Sequence, residues 1–182
     1  ESEPQLSDMN PIVSAIGQGN HNFTTVGLAR YVTAVANSGT CYNLTLLDRV
    51  TDRSGNLLKD YEATVRNTIE LPEAYWNALH EGMRGVVEAK AYYRDFPVEV
   101  AGKTGTAEED KSRPNHGLFV GYAPYDTPEI ALAIRIGNGY SSDYASQISK
   151  QVLTWYYDLD EEGKLTDSGT ALTPDAISGG GD

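Results

Sequence analysis

The sequence predicts an α/β domain of the α+β kind, an antiparallel β-sheet flanked by helices. Three observations predict it. Runs at residues 98–107, 117–122 and 130–136 are strand-like and follow one another through short connections, which suits antiparallel neighbours. Apolar residues recur at helical spacing in three other stretches. The 182 residues, 40% apolar and 9% aromatic, are enough to bury one sizeable core.

Taken in order, residues 1–23 are rich in Pro, Gly, Asn and Ser and read as loop. Thr24 or Thr25 caps a core helix running to about Asn37, with Leu28, Tyr31, Val32, Val35 and Ala36 at helical spacing and Gly39 suited to a left-handed stop. Residues 44–51 and 57–61 flank Ser54-Gly55 as a hairpin, and residues 63–71 hold another short strand. Pro72 fits the first turn of a second helix, on which Trp76, Leu79, Met83 and Val86 form the apolar stripe. His80 and Glu81 fall outside that stripe and read as solvated, while Gly82 and Gly85 suggest close packing against a sheet. Tyr92, Tyr93 and Phe96 are either a substrate rim or a plug over the core, and the plug is preferred because aromatic burial is energetically large wherever it occurs. The strands at 117–122 and 130–136 are joined by a turn that Pro124 and Pro128 mark. Ser141 or Ser142 opens a last helix with Tyr144, Ile148, Val152 and Trp155 on one face. The expected division is a folded part at 1–157 and an acidic, Gly-rich disordered tail at 158–182.

Charge and residue counts exclude several classes. With a net charge of −12 the chain has no basic stripe for phosphates, so no nucleic acid is expected as partner. The lone Cys41 rules out an internal disulfide and a Cys-based zinc site, and His21, His80 and His116 lack metal-ligand spacing. No metal or cofactor is expected. No apolar run is long enough to span a bilayer, and no signal peptide opens the sequence.

The most informative stretch is Val98-Glu99-Val100-Ala101-Gly102-Lys103-Thr104-Gly105-Thr106-Ala107. A strand pattern runs into one cation and two hydroxyls set between glycines. Glycine weakens a strand and often marks a close approach by a ligand or second backbone. Lysine and threonine there offer a charge and hydroxyls to an anion, as an edge strand would when it receives a carboxylate-bearing peptide by strand addition. The plain alternative is that Lys103 is a solvent-facing charge that protects a sheet edge from aggregation. Glu108 and Glu109 read as solvated loop charges, because adjacent strand residues face opposite ways. His116, which opens the next strand, reads as structural and not as a general base.

Lys103-Thr104-Gly105 matches the third signature of the penicillin-binding serine acyl-transferases. The longer string Ala101–Glu108, the following His116-Gly117-Leu118-Phe119-Val120-Gly121-Tyr122-Ala123-Pro124, and the upstream Ile16-Gly17-Gln18-Gly19 and Ala36-Asn37-Ser38-Gly39 stand in one order. Together they resemble the transpeptidase domain of class B penicillin-binding proteins over roughly residues 10 to 157. The first signature, Ser-x-x-Lys, is absent, since no lysine has a serine three positions before it. Ser54-Gly55-Asn56 matches the second signature as a string, but it lies between two strand-like runs and reads as a turn.

The resemblance implies the C-terminal half of a transpeptidase domain, an incomplete version of the penicillin-binding fold. It implies D,D-transpeptidase activity for the whole protein, which cross-links peptidoglycan by serine acyl transfer. This chain alone, without the nucleophile, is expected to be inactive. The implied ligands are D-Ala-D-Ala stem peptides and β-lactams. Lys103 would contact the serine of the second motif, Thr104 and Thr106 would hold the ligand carboxylate, the Thr106 N–H would donate to the oxyanion, and Gly105 would keep the strand face open. The implied location is the extracytoplasmic face of the cell membrane, with an anchor upstream. The alternative is a non-catalytic module that senses β-lactams or stem peptides. Missing helices would leave apolar surface for the absent N-terminal half or for self-association.

Overall fold

The strand at the centre of the molecule is apolar on both faces, and both faces are covered. A computed structural model describes residues 23–109 and 111–159. In it β5 (Ala101–Ala107), β6 (His116–Ala123) and β7 (Ile130–Ile136) form an antiparallel sheet in that order. The register runs from Ala101↔Tyr122 to Ala107↔His116, and from Gly117↔Ile136 to Ala123↔Ile130. Side chains alternate across such a sheet. Val120 and Tyr122 therefore meet Val32, Val35 and Met83 on one face, while Phe119 and Ala123 meet Ala145 and Leu153 on the other. Full burial of a large apolar side chain such as Phe119 contributes about 1.5–3 kcal/mol.

Helix α1 (Thr25–Ala36) starts where Thr24 Oγ1 accepts from the Gly27 N–H at 3.1 Å. A cap of this type is worth about 1 kcal/mol. It ends at Ser38 and Gly39, with φ of 49° and 106°, and the Gly39 N–H donates to the Ala34 carbonyl at 2.8 Å. A side chain on Gly39 would collide with the Ile69 carbonyl, so both the left-handed turn and the close approach require glycine. Val32, Ala34 and Val35 are buried, whereas Tyr31 is exposed despite its place in the expected stripe. Helix α1 packs on β7 and β6.

Helix α2 (Glu73–Glu88) packs on β5, and Pro72 sits one position before it as the N-cap. Its buried residues are Trp76, Met83 and Val87, while Leu79 is exposed. His80 is not solvated as expected. It is half-buried, bonds the Val35 carbonyl through Nε2 at 2.8 Å, and lies between the rings of Trp76 and Tyr122. The residue is four positions after Trp76, hence on the same face. Gly82 and Gly85 also correct the reading: both are exposed, and a Cβ at either would meet nothing within 4 Å. A short 3₁₀ turn at Ala91–Tyr93 follows, with Tyr93 buried and Tyr92 and Phe96 packed against the same cluster, as a plug.

Helix α3 (Ser142–Tyr156) is capped by Ser141, whose Oγ accepts from the Asp143 N–H. It covers the Phe119 face of the sheet. Ala145, Ser146, Ser149 and Leu153 are the buried residues, so small side chains bring the helix close to the strands. The large apolar set Tyr144, Ile148, Val152 and Trp155 is the exposed one, with Tyr144 and Trp155 each 56% exposed. Leu159, placed in the tail by the sequence, is buried and donates its N–H to the Thr154 carbonyl. The rest of the expected tail, the Ile16-Gly17-Gln18-Gly19 string and His21 lie outside the described residues.

Residues 40–68 form a separate excursion. The strand β1 (Thr40–Tyr42), which the sequence did not reveal, pairs with β4 (Val65–Thr68). Strands β2 (Arg49–Thr51) and β3 (Leu57–Asp60) make the expected hairpin, though the strand begins at Arg49 and not at Leu44. The Asp52 carboxylate accepts from the N–H groups of Ser54 and Asn56 and from Asn56 Nδ2 at 2.8–2.9 Å. Those bonds hold its pKa below the usual carboxylate value. Ser54-Gly55-Asn56 is thus a turn. Among the described residues no helix is long and apolar enough to cross a membrane.

Candidate active site

Among the described residues β5 is an edge strand, paired with β6 on one side only. Its residues 103–106 are exposed or half-buried, in contrast to the buried Ala101 and Gly102 that lead into them. Strand alternation separates the four expected residues. Lys103 and Gly105 share the face of Ala101, and Thr104 and Thr106 share the face of Phe119 and α3. What brings them together is the free edge itself, which both sets flank. Lys103 Nζ donates to the Thr104 carbonyl at 2.6 Å.

The two glycines beside Lys103 serve different needs. A Cβ on Gly102 would fall 2.7 Å from Phe119 Cε2 and 2.9 Å from the Val120 carbonyl. Gly121, its register partner, is equally crowded by the Phe119 ring and the Ala101 carbonyl. The pair forms the bed on which Phe119 lies. A Cβ on Gly105 would meet only Leu118 Cβ, at an ordinary 3.6 Å. Internal packing requires the first glycine and not the second.

Beyond the strand, the structure gathers residues the sequence left apart. Glu109, read as a solvated charge, places Oε2 2.7 Å from His116 Nε2. The Asn138 N–H donates to His116 Nδ1 at 2.9 Å, and Arg135 Nη2 lies 3.1 Å from Nε2. His116 is buried. Arg135 and Asn138 carried no local signal, because only the strand register brings them to His116. Elsewhere Lys90 is bound to Asp143, which raises the pKa of its ammonium, and burial raises that of the Tyr93 hydroxyl, which pairs with Ser149 Oγ. Among the described residues no three His, Cys, Asp or Glu side chains gather as metal ligands.

Residues 3–155 match the penicillin binding protein transpeptidase domain, and the chain belongs to that family. It is 29% identical over 145 residues to penicillin-binding protein 2B of Streptococcus pneumoniae, covering 71% of this chain and 21% of the relative. It is 29% identical over 163 residues to the peptidoglycan D,D-transpeptidase MrdA of Haemophilus influenzae, covering 78% of this chain and 25% of the relative. The fold matches Pseudomonas aeruginosa PBP2, solved with WCK 5153, at 34% identity and a TM-score of 0.67, over 86% of this chain and 35% of that one. It also matches the penicillin-binding protein 2B structure from S. pneumoniae strain R6 at 24% identity and a TM-score of 0.74, over 85% and 28%. The chain thus spans about a fifth to a quarter of the curated relatives' length, and is part of a transpeptidase domain.

Proposed function

We propose that this chain supplies the carboxylate-binding wall of a peptidoglycan D,D-transpeptidase whose nucleophile lies in the remainder of the protein. One observation carries the reading: Gly105 lies on a free edge strand, next to two threonines and a lysine, and none of the described residues requires it to lack a side chain. A ligand backbone that runs along the edge supplies the requirement. Thr104 and Thr106 bind the terminal carboxylate of a D-Ala-D-Ala stem peptide, or that of a β-lactam. Lys103 adds positive potential, and the Thr106 N–H is one of the oxyanion donors.

In the reaction a serine Oγ attacks the carbonyl carbon between the two D-alanines. The C–N bond breaks, and the departing amine takes up the hydroxyl proton. The acyl group then passes to the amine of a second stem peptide: the new C–N bond forms, the ester C–O bond breaks, and the amine's proton returns to the serine oxygen. With a β-lactam the ring amide opens instead, and its nitrogen takes the proton. Each oxyanion donor is worth about 2.7–4 kcal/mol, or two to three decades in rate.

The rest of the domain is the first partner. Unpaired β7 and the exposed face of α3 are where it docks, and the whole protein works at the outer face of the cytoplasmic membrane, anchored upstream. The expected outcome for Thr104→Val in the full-length protein is acylation by a fluorescent penicillin slowed about 10- to 100-fold, the worth of a hydrogen bond to a charged group. Its melting temperature should stay near the parent's. Equal acylation rates would overturn the carboxylate role. Residues 1–182 alone should gain no adduct in intact-mass spectrometry, and a stoichiometric adduct would refute the assignment of the nucleophile to another segment.

A further inference from the structure

We propose that His116 is a positioning residue for acyl transfer at β5, acting through Glu109 and Asn138; the inference rests on the reading of β5 given above. The Ala107↔His116 pair is the last of the β5–β6 register, and Thr106↔Gly117 is the pair before it. Terminal pairs open most easily. The N–H of Thr106 therefore stands one residue from a place where the strand would fray. The side chain of His116 closes that place.

His116 is only 8% exposed, and the two nitrogens of its imidazole have different tasks. The Asn138 N–H needs a lone pair on Nδ1, so the ring proton is on Nε2 and points to Glu109 Oε2. With its hydrogen bonds on both sides the tautomer is fixed. Arg135 cannot donate to a protonated Nε2, so its guanidinium is a charge beside the ring and not a third bond. Through these two bonds the ring ties Glu109, three residues past Thr106, to the loop between β7 and α3.

That loop is itself held under constraint. Asn138 and Tyr140 have φ of 52° and 62°, a region that tyrosine seldom adopts. The Tyr140 N–H donates to the Asn115 carbonyl, and the Ser141 carbonyl fills the space where a side chain on Gly117 would be. Strain of this sort persists only where the surroundings over-determine it, and it gathers at functional sites. Here it yields a rigid backing against which the exit of β5 is braced. Exposed Glu109 is the anchor on the ligand's side, with 66% of its side chain accessible.

The test uses the full-length protein and time-resolved labelling by a fluorescent penicillin, which separates the pre-covalent Kd from the acylation rate constant. Glu109→Ala should slow acylation about tenfold or more, since small displacements of catalytic groups cost rates of that order, and leave Kd within about twofold. Glu109→Gln, whose amide oxygen still accepts from Nε2–H, should restore most of the rate. His116→Gln, at a buried position, counts if its melting temperature matches the parent's, and should then behave like Glu109→Ala. Parent-like acylation in Glu109→Ala, or no recovery in Glu109→Gln, overturns the positioning role. Failure of the unaltered protein to acylate overturns the transpeptidase reading and this inference with it, so the two failures are distinguishable.

Discussion

Among the described residues the sheet has two unpaired edges, and they are unlike. β5 offers Gly102-Lys103-Thr104-Gly105-Thr106, polar and short of side chains, while β7 offers Ile130-Ala131-Leu132-Ala133-Ile134, half-buried and apolar. An apolar free edge is a template for further strand pairing, whereas a charged one resists it. The difference bears on the proposal that one edge meets a ligand and the other more protein. Backbone groups are equally available on both. Side chains decide their use.

The sharpest way to break the comparison lies within β5. Gly102→Ala forces a methyl group into Phe119 and should destabilise the fold by about 1–3 kcal/mol, the usual cost of overpacking, visible in a thermal melt. Gly105→Ala has room for its methyl and should leave the melt unchanged or slightly raised, since alanine orders more cheaply than glycine. Its penicillin acylation should nevertheless fall about tenfold or more. If Gly105→Ala acylated normally, the edge would have lost its claim on a ligand.

A smaller effect is expected at the opposite edge. Residues 1–182, with β7 unpaired and Tyr144, Ile148, Val152 and Trp155 uncovered, should associate with themselves at tens of micromolar in sedimentation velocity. Val152→Gln with Trp155→Gln should shift the population toward monomer without loss of helix. A parent chain that stayed monomeric throughout would leave the apolar edge without its proposed use.

The smallest effect belongs to the sheet between the edges. The Tyr122 hydroxyl is buried without a hydrogen-bond partner among the described residues, and burial pushes its pKa up to about 12. The folded state thus keeps a proton that the unfolded chain loses near pH 10. Stability from this group is complete below pH 10 and declines as the pH rises toward 12. Tyr122→Phe should flatten that alkaline decline in urea midpoints and at pH 7 be neutral or stabilising by about 1 kcal/mol. An unchanged alkaline slope would rule the hydroxyl out.

The architecture and the Lys-Thr-Gly strand were legible in the sequence because both are local. Strand alternation, proline-marked turns and an unbroken ten-residue motif need no knowledge of distant contacts. Helix faces were read less well, and in a consistent way. In α2 the buried set is Trp76, Met83 and Val87 with His80 beside them, one position round from the apolar stripe the pattern favoured. In α3 the sheet selected Ala145, Ser146 and Ser149 over Tyr144, Ile148 and Val152. Apolar character shows what seeks cover. It does not show which face lies close enough to a given sheet for small residues, or which face awaits another segment. The Glu109–His116–Asn138 tie was out of reach for a different reason, because it depends on register across three strands.

The hairpin of β2 and β3 keeps its shape by means that are entirely its own. One carboxylate, Asp52, knots the turn, and no residue of either strand is buried against the body of the protein. A device so self-sufficient can be lengthened, recoloured or exchanged while the ledge at Lys103 goes undisturbed. Divergence among relatives should therefore gather there.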